Sequence, residues 1–188
     1  MAKSHYKKRE IESLILLAQK GDSKALEEIV KKVQKDIFAM FSHLCSRKDD
    51  ISDLTQEALL KMAKSINTLK NPKAFKSWLN QIITNIFYDH ARKNPERFVE
   101  LNEIEFNEIK DKLGCEPGEK CIFGELDKLI KSALLTLPED LRITLVLREF
   151  EGLSYDNIAK ITNTALGTVK SRISRARNKL QKELKEFI

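Results

Sequence analysis

The chain is short of the residues that bend, break or cross-link a polypeptide. Its 188 residues include 6 glycines, 4 prolines and 3 cysteines. So little Gly and Pro disfavours a turn-rich all-β chain and any collagen-like repeat. Cys45, Cys115 and Cys121 are too few for a disulfide framework and read as free thiols. Five residues separate Cys115 from Cys121, which is not the spacing of a zinc or redox pair, and no His stands near them. No metal or other cofactor is expected. Long apolar runs are missing too, since nothing approaches the ~18 residues needed to cross a bilayer. The first residues, Met1-Ala2-Lys3-Ser4-His5, lead into Lys7-Lys8-Arg9-Glu10 with no apolar stretch behind them. That argues against a secretory signal and for the cytoplasm. His5, His43 and His90 are scattered, none at ligand spacing with a Cys or carboxylate, and no glycine-rich phosphate loop is present. The chain does not read as an enzyme.

Charge and helical periodicity are what the chain has in plenty. Charged residues make up 33% and the hydrophobic set 41%, the balance of a folded protein rather than a polar tail. The net charge of +6 is unevenly spread. Residues 1–94 hold 18 Lys/Arg against 11 Asp/Glu, residues 95–127 hold 4 against 10, and residues 128–188 hold 12 against 7. Two basic blocks therefore flank an acidic one. Basic blocks suit a polyanionic partner, because phosphate contacts release counterions, although Lys-rich helices also simply keep a protein dissolved. The acidic stretch carries Pro95 and Pro117 and the weakest periodicity of the chain. Its alternation over 99–106 has no sheet to join, so it reads as an irregular linker.

Both basic blocks repeat apolar residues at helical spacing. In the first, Ile11, Leu14, Ile15 and Ala18 form a stripe closed by Gly21, and Asp22 or Ser23 can cap the next helix. That helix places Leu26, Ile29, Val30, Val33, Ile37, Phe38, Phe41 and Leu44 on one face. Ser52 or Asp53 opens a third, with Leu54, Ala58, Met62 and Ile66 inward. Asn71-Pro72 breaks the chain before a fourth helix through Phe75, Trp78, Leu79, Ile82, Ile83, Ile86 and Phe87. Trp78 lies on that apolar stripe and reads as packing rather than as a stacking platform. The second block runs from near Ile122 to a stop at Pro138, then through a short helix from Leu141 to Phe150 that Gly152 ends.

Ser154 then caps Tyr155 to Ile161, and a last helix follows from Thr168 to about Leu184. Two helices joined by a short turn make a helix-turn-helix. Ala159 is small where the pair must touch, and Asn163 stands where a left-handed backbone is needed. Gly167-Thr168 offers a capping hydroxyl to the second helix. Val169, Ile173, Ala176 and Leu180 point inward, leaving Lys170, Ser171, Ser174, Arg175 and Arg177 on a polar face suited to base edges and phosphates. The expected fold is all-α: one small helical domain over 1–94, an acidic linker over 95–121, and a second over 122–188 that contains the helix-turn-helix.

Several strings resemble a known family. Leu137-Pro138-Glu139-Asp140-Leu141-Arg142, Arg148-Glu149-Phe150-Glu151-Gly152-Leu153-Ser154-Tyr155 and Gly167-Thr168-Val169-Lys170-Ser171-Arg172-Ile173-Ser174-Arg175-Ala176-Arg177 resemble region four of extracytoplasmic-function (ECF) sigma factors. Asp53-Leu54-Thr55-Gln56-Glu57-Ala58-Leu59-Leu60-Lys61, with Phe75-Lys76-Ser77-Trp78-Leu79 and Asn85, resembles region two. The two regions stand in the right order and cover nearly the whole chain. Regulators of the LuxR type share a similar C-terminal motif, but they carry a separate receiver or sensory domain, and the first block lacks a receiver's β/α alternation.

The resemblance implies a sigma factor that binds core RNA polymerase, directs it to promoter DNA and helps to open it; an anti-sigma partner is common in the family. Region two would dock on the polymerase through Asp53, Leu54, Gln56, Glu57 and Leu60. Capture of the minus-ten element would fall to Lys61, Asn71, Lys73, Lys76, Asn80, Thr84 and Asn85, because extruded bases are held by loop polar groups, amides and cations. Asn85 is the strongest of these by its match to the family's motif. Region four would bind the minus-thirty-five duplex through Thr168, Lys170, Ser171, Ser174 and Arg175, with Arg148, Arg172 and Arg177 on phosphates. The linker would pass through a basic channel of the polymerase, although a solvated tether fits its composition equally well. The competing reading is a regulator that binds its own operator as a free dimer.

Overall fold

A computed structural model of the chain describes residues 10–95 and 123–185. The acidic linker, Cys115 and Cys121 and the first nine residues lie outside the described residues, so the expectations for them are not addressed by it. Eight α-helices and two short 3₁₀ turns make up the secondary structure of the described residues, and no strand occurs among them. The first module holds α1 (Ile11–Ala18), α2 (Ser23–Leu44), α3 (Lys48–Ser65) and α4 (Phe75–Lys93). The second holds α5 (Phe123–Leu135), α6 (Glu139–Glu149), α7 (Tyr155–Thr162) and α8 (Leu166–Leu184).

Local chemistry sets most of the boundaries. Gly21 takes a positive φ of 90°, and the Asp22 carboxylate then accepts from the backbone N–H groups of Lys24 and Ala25. This caps the start of α2, as its sequence implies. After the 3₁₀ turn Ile66–Thr68, the Asn71 side chain accepts from Lys73 N–H and starts a second turn, Pro72–Ala74, that leads into α4. Gln19 joins α1 to this segment by donating to the carbonyls of Ile66 and Leu69 at 2.9 and 2.8 Å. Gly152, with φ 67°, turns the chain after α6.

Two expected helix starts are displaced. α3 begins at Lys48, so Ser52 and Asp53 lie inside it and cap nothing; Asp49 and Asp50 instead place negative charge in the first turn, where the helix dipole favours it. α8 begins at Leu166, two residues before the expected start at Thr168, with Ala165 before it and no side-chain cap. Phe38, expected inward on α2, is 41% exposed, and Met40 fills the interior at 2%.

One contiguous apolar core runs through both modules. It joins Leu14, Ile29, Phe41, Met62 and Phe87 of the first to Leu137, Val146, Ile158 and Ile173 of the second. Each such side chain contributes about 1.5–3 kcal/mol by leaving water. A smaller cluster, Leu129 and Ala133 with Leu180 and Leu184, seats the end of α8 on α5. The modules touch where α2 lies against α5 and α6, and where α4 lies against α7. Arg142 sits in this junction at 2% exposure. It donates to the Leu44 carbonyl at 2.7 Å, across the modules, and to the Leu135 and Leu137 carbonyls within its own. A guanidinium matches such a site because its several N–H groups fan out in one plane.

Candidate nucleic-acid interface

The helix-turn-helix is built by short-range bonds. Ser154 accepts from Asn157 N–H at 3.3 Å and starts α7. Asn163 ends it at φ 51°, ψ 48°, and Thr164 N–H donates back to the Ala159 carbonyl at 3.0 Å, a left-handed helix stop. The chain is thereby aimed into α8. Val169, Ile173 and Ala176 hold that helix to the core, and Lys170, Ser171, Ser174, Arg175 and Arg177 face solvent on its other side.

The basic residues of this module divide into two groups. No carboxylate among the described residues pairs with Lys170 or Arg175. Arg172 is ion-paired with Asp140, and its side chain is 14% exposed. Arg177 puts both Nε and Nη2 on one Glu149 oxygen, at 3.1 and 2.5 Å, and this contact raises its pKa. Arg148 donates to the Leu153 carbonyl at 2.8 Å and lies 4.9 Å over the Tyr155 ring, where it braces the turn. Thr168 is half-buried in the first turn, its carbonyl taken by the Ser171 hydroxyl.

On α3, Asp53, Gln56, Glu57 and Leu60 share one exposed side, and Leu60 is 60% exposed. Leu54 does not belong with them. At 3% exposure it is a core residue, as its place in the apolar stripe demands, and this corrects its expected place in the docking set. Lys61 pairs with Glu57 at 2.8 Å on the surface, an i,i+4 contact that water screens.

The strand-capture candidates are scattered by the fold. Asn71, Lys73 and Asn85 are exposed. Lys76 and Asn80 meet on one carboxylate of the other module: Lys76 Nζ lies 3.4 Å from Glu151, and Asn80 donates to it at 3.2 Å. Asn80 is only 3% exposed. Thr84, one helical turn further along the same side, is fully buried and its hydroxyl has no hydrogen-bond partner, so in this conformation it faces the core rather than DNA. Its neighbours Ile83, Ile86 and Phe87 show why: the buried sector of α4 is wider than one stripe.

Other residues at the junction carry no signal in the sequence. Tyr88 donates to Asp140 at 2.9 Å, linking α4 to the carboxylate that holds Arg172. Burial, with Asp140 beside it, pushes the Tyr88 hydroxyl well above its ordinary pKa. His43 lies against Phe150 with ring centroids 4.0 Å apart, and burial lowers its pKa. Cys45 is buried nearby and its thiol is pushed up to about 12, which makes it unreactive.

Comparison with known proteins agrees with this geometry. Residues 29–96 match the family model for sigma-70 region 2, and residues 127–180 match that for sigma-70 region 4. The chain is 33% identical to the RNA polymerase sigma-H factor of Pseudomonas aeruginosa, over 94% of this chain and 95% of that one. It is 32% identical to the ECF RNA polymerase sigma-E factor of Escherichia coli K12, over 93% and 94%. Among solved structures it resembles the sigma factor RpoE in complex with the anti-sigma factor NepR from Bartonella quintana, at 29% identity and a TM-score of 0.64, covering 86% of this chain and 98% of that one. It shares the fold of CnrH, solved with the cytosolic domain of CnrY, at 20% identity and a TM-score of 0.65, covering 93% and 96%. A two-module helical chain that matches both sigma regions in order, and its relatives over 93–95% of each chain, belongs to the ECF RNA polymerase sigma factors.

Proposed function

We propose that the chain acts as a promoter-recognition subunit, with one surface for each task. Asp53, Gln56, Glu57 and Leu60 dock on core RNA polymerase, as an acid, amide and Leu patch suits a basic helical partner. Lys170, Ser171, Ser174 and Arg175 read the minus-thirty-five duplex from the major groove. Arg177 serves a phosphate once it exchanges Glu149 for DNA, and Arg148 and Arg172 act by bracing the module. Asn71, Lys73, Lys76, Asn80 and Asn85 form the surface for the unpaired minus-ten strand, with Lys61 at its edge. The observation that carries this reading is the solvent-facing Lys170–Arg175 side of α8, present in the same chain as the exposed patch of α3.

The domain limits follow: 1–94 for polymerase and minus-ten binding, 95–121 as linker, and 122–188 for the minus-thirty-five element. Sigma factors act without a catalytic step, and we assign none. Work on polymerase places the chain in the cytoplasm; among the described residues, no helix is long and apolar enough to cross a membrane. Because the Bartonella relative was solved with an anti-sigma factor, we extend that class of partner to this chain.

Run-off transcription tests the proposal. Core polymerase plus this chain, on a genomic fragment library, starts at sites sharing two upstream elements. Specific operator binding by a dimer without polymerase, together with no polymerase association, contradicts it.

A further inference from the structure

The turn after α6 sits in a cleft between α2 and α4. The cleft is floored by Met40 and flanked by His43, Lys76 and Asn80, and Phe150 and Glu151 enter it from the second module. Phe150 lies on the His43 ring, and Glu151 takes both Lys76 and Asn80. On the next stretch of the same surface, Asn71 and Trp78 line a second cleft together with Asn157 and Lys160 of α7. The second module therefore engages Lys76 and Asn80 and borders Asn71 within the surface assigned to the unpaired strand.

We propose that the Phe150-Glu151 turn is a built-in plug for the strand-capture surface. The Glu151 carboxylate occupies the cation and amide that a DNA strand would otherwise engage. This rests on the function proposed above and deepens it. The masking is selective. Asp53, Gln56, Glu57 and Leu60 stay exposed on α3, as do Lys170, Ser171, Ser174 and Arg175 on α8. In this arrangement the chain offers its polymerase-docking and duplex-reading surfaces while engaging Lys76 and Asn80 of the surface that holds an open strand; Asn71, Lys73 and Asn85 of that surface stay exposed.

The plug is made of parts that can yield. The Lys76 side chain is 63% exposed, so its pair with Glu151 is screened by salt, and Phe150 is 43% exposed even while it lies on His43. Removing the turn's side chains leaves Arg142 and the core untouched. A binding surface available in only a fraction of molecules shows a dissociation constant raised by that fraction, so unmasking tightens binding with no new contact.

The test uses the full chain and two probes, a fluorescein-labelled single-stranded DNA 20-mer of mixed sequence and its duplex. Loss of Glu151 also removes a negative charge, so the ratio of the two affinities, rather than either affinity alone, is the measurement. The Phe150→Ala/Glu151→Ala variant is expected to raise single-strand affinity relative to duplex by about tenfold, with circular dichroism unchanged. An unchanged ratio in a folded variant overturns the plug. Should that variant misfold, the wild-type chain still decides: the Asn80 side-chain amide protons must exchange slowly with solvent, and exchange at the rate of an exposed amide overturns the proposal. Polymerase binding by wild type is measured in parallel. Its loss sinks the assigned function alone, because the plug is read on the isolated chain.

Discussion

The two surfaces proposed to face DNA lie on helices of equal length, α4 and α8, each with 19 residues, yet they meet solvent in opposite ways. On α8 only the inward side, Val169, Ile173 and Ala176, is buried, and Lys170, Ser171, Ser174 and Arg175 stand in water. On α4 eight residues are buried, among them Asn80 and Thr84. The difference comes from what each helix touches. α8 packs on its own module, whereas α4 packs on its own module and on α7 of the other. A polar residue on a helix with one neighbour can be assigned from periodicity alone; on a helix with neighbours on two sides it cannot.

The substitution with the largest expected effect attacks the junction itself. Arg142→Met keeps much of the side-chain volume but abandons the Leu44, Leu135 and Leu137 carbonyls, and is expected to cost about 3 kcal/mol in urea unfolding. A loss well under ~1 kcal/mol would show that the modules are not held together there. Next comes Arg175→Ala, expected to weaken promoter binding by about 1–3 kcal/mol while leaving polymerase affinity unchanged. If transcription from a cognate promoter persists at full rate, α8 is not the reading helix. Leu60→Ala reverses that pattern, with polymerase binding down about tenfold in a fluorescence titration and the melting temperature unmoved, since this side chain is already 60% exposed.

The smallest effect concerns pH. Burial is the main cause that lowers the His43 pKa, with Lys131 acting in the same sense and Asp127 and Glu151 in the opposite one. The folded state thus prefers the neutral ring. Its contribution is complete above the ordinary value of 6.5 and is lost as pH falls below it. His43→Gln should flatten the decline in melting temperature between neutral and mildly acidic buffer; a slope equal to wild type would remove His43 from the account.

Features made by neighbours in sequence were legible beforehand. Asp22, Ser154 and Asn163 each satisfy or turn a backbone within a few residues, so composition at those points is enough. Where a cap was inferred without its competitor, the reading slipped. Ser52 and Asp53 are good cap residues, but the helix continues upstream because Lys48, Asp49 and Asp50 accept helical geometry as well. Thr168 lost the start of α8 to Leu166 for a similar reason. Trp78 is half-buried and lies 5.9 Å from the Phe75 ring, in keeping with its place on the apolar stripe.

The residues that organise the junction gave no warning. Glu151, Asp140 and Arg142 look like ordinary charges on a helix or at its end, and Arg142 finds Leu44 across 98 positions of chain. Periodicity and capping act over one or two turns of helix, so the order of residues alone set the helices, the left-handed stop at Asn163 and the basic side of α8. Which polar groups reach solvent was decided only when the modules met. Desolvation depends on every neighbour within a few ångströms, and most of those neighbours lie far away in the chain.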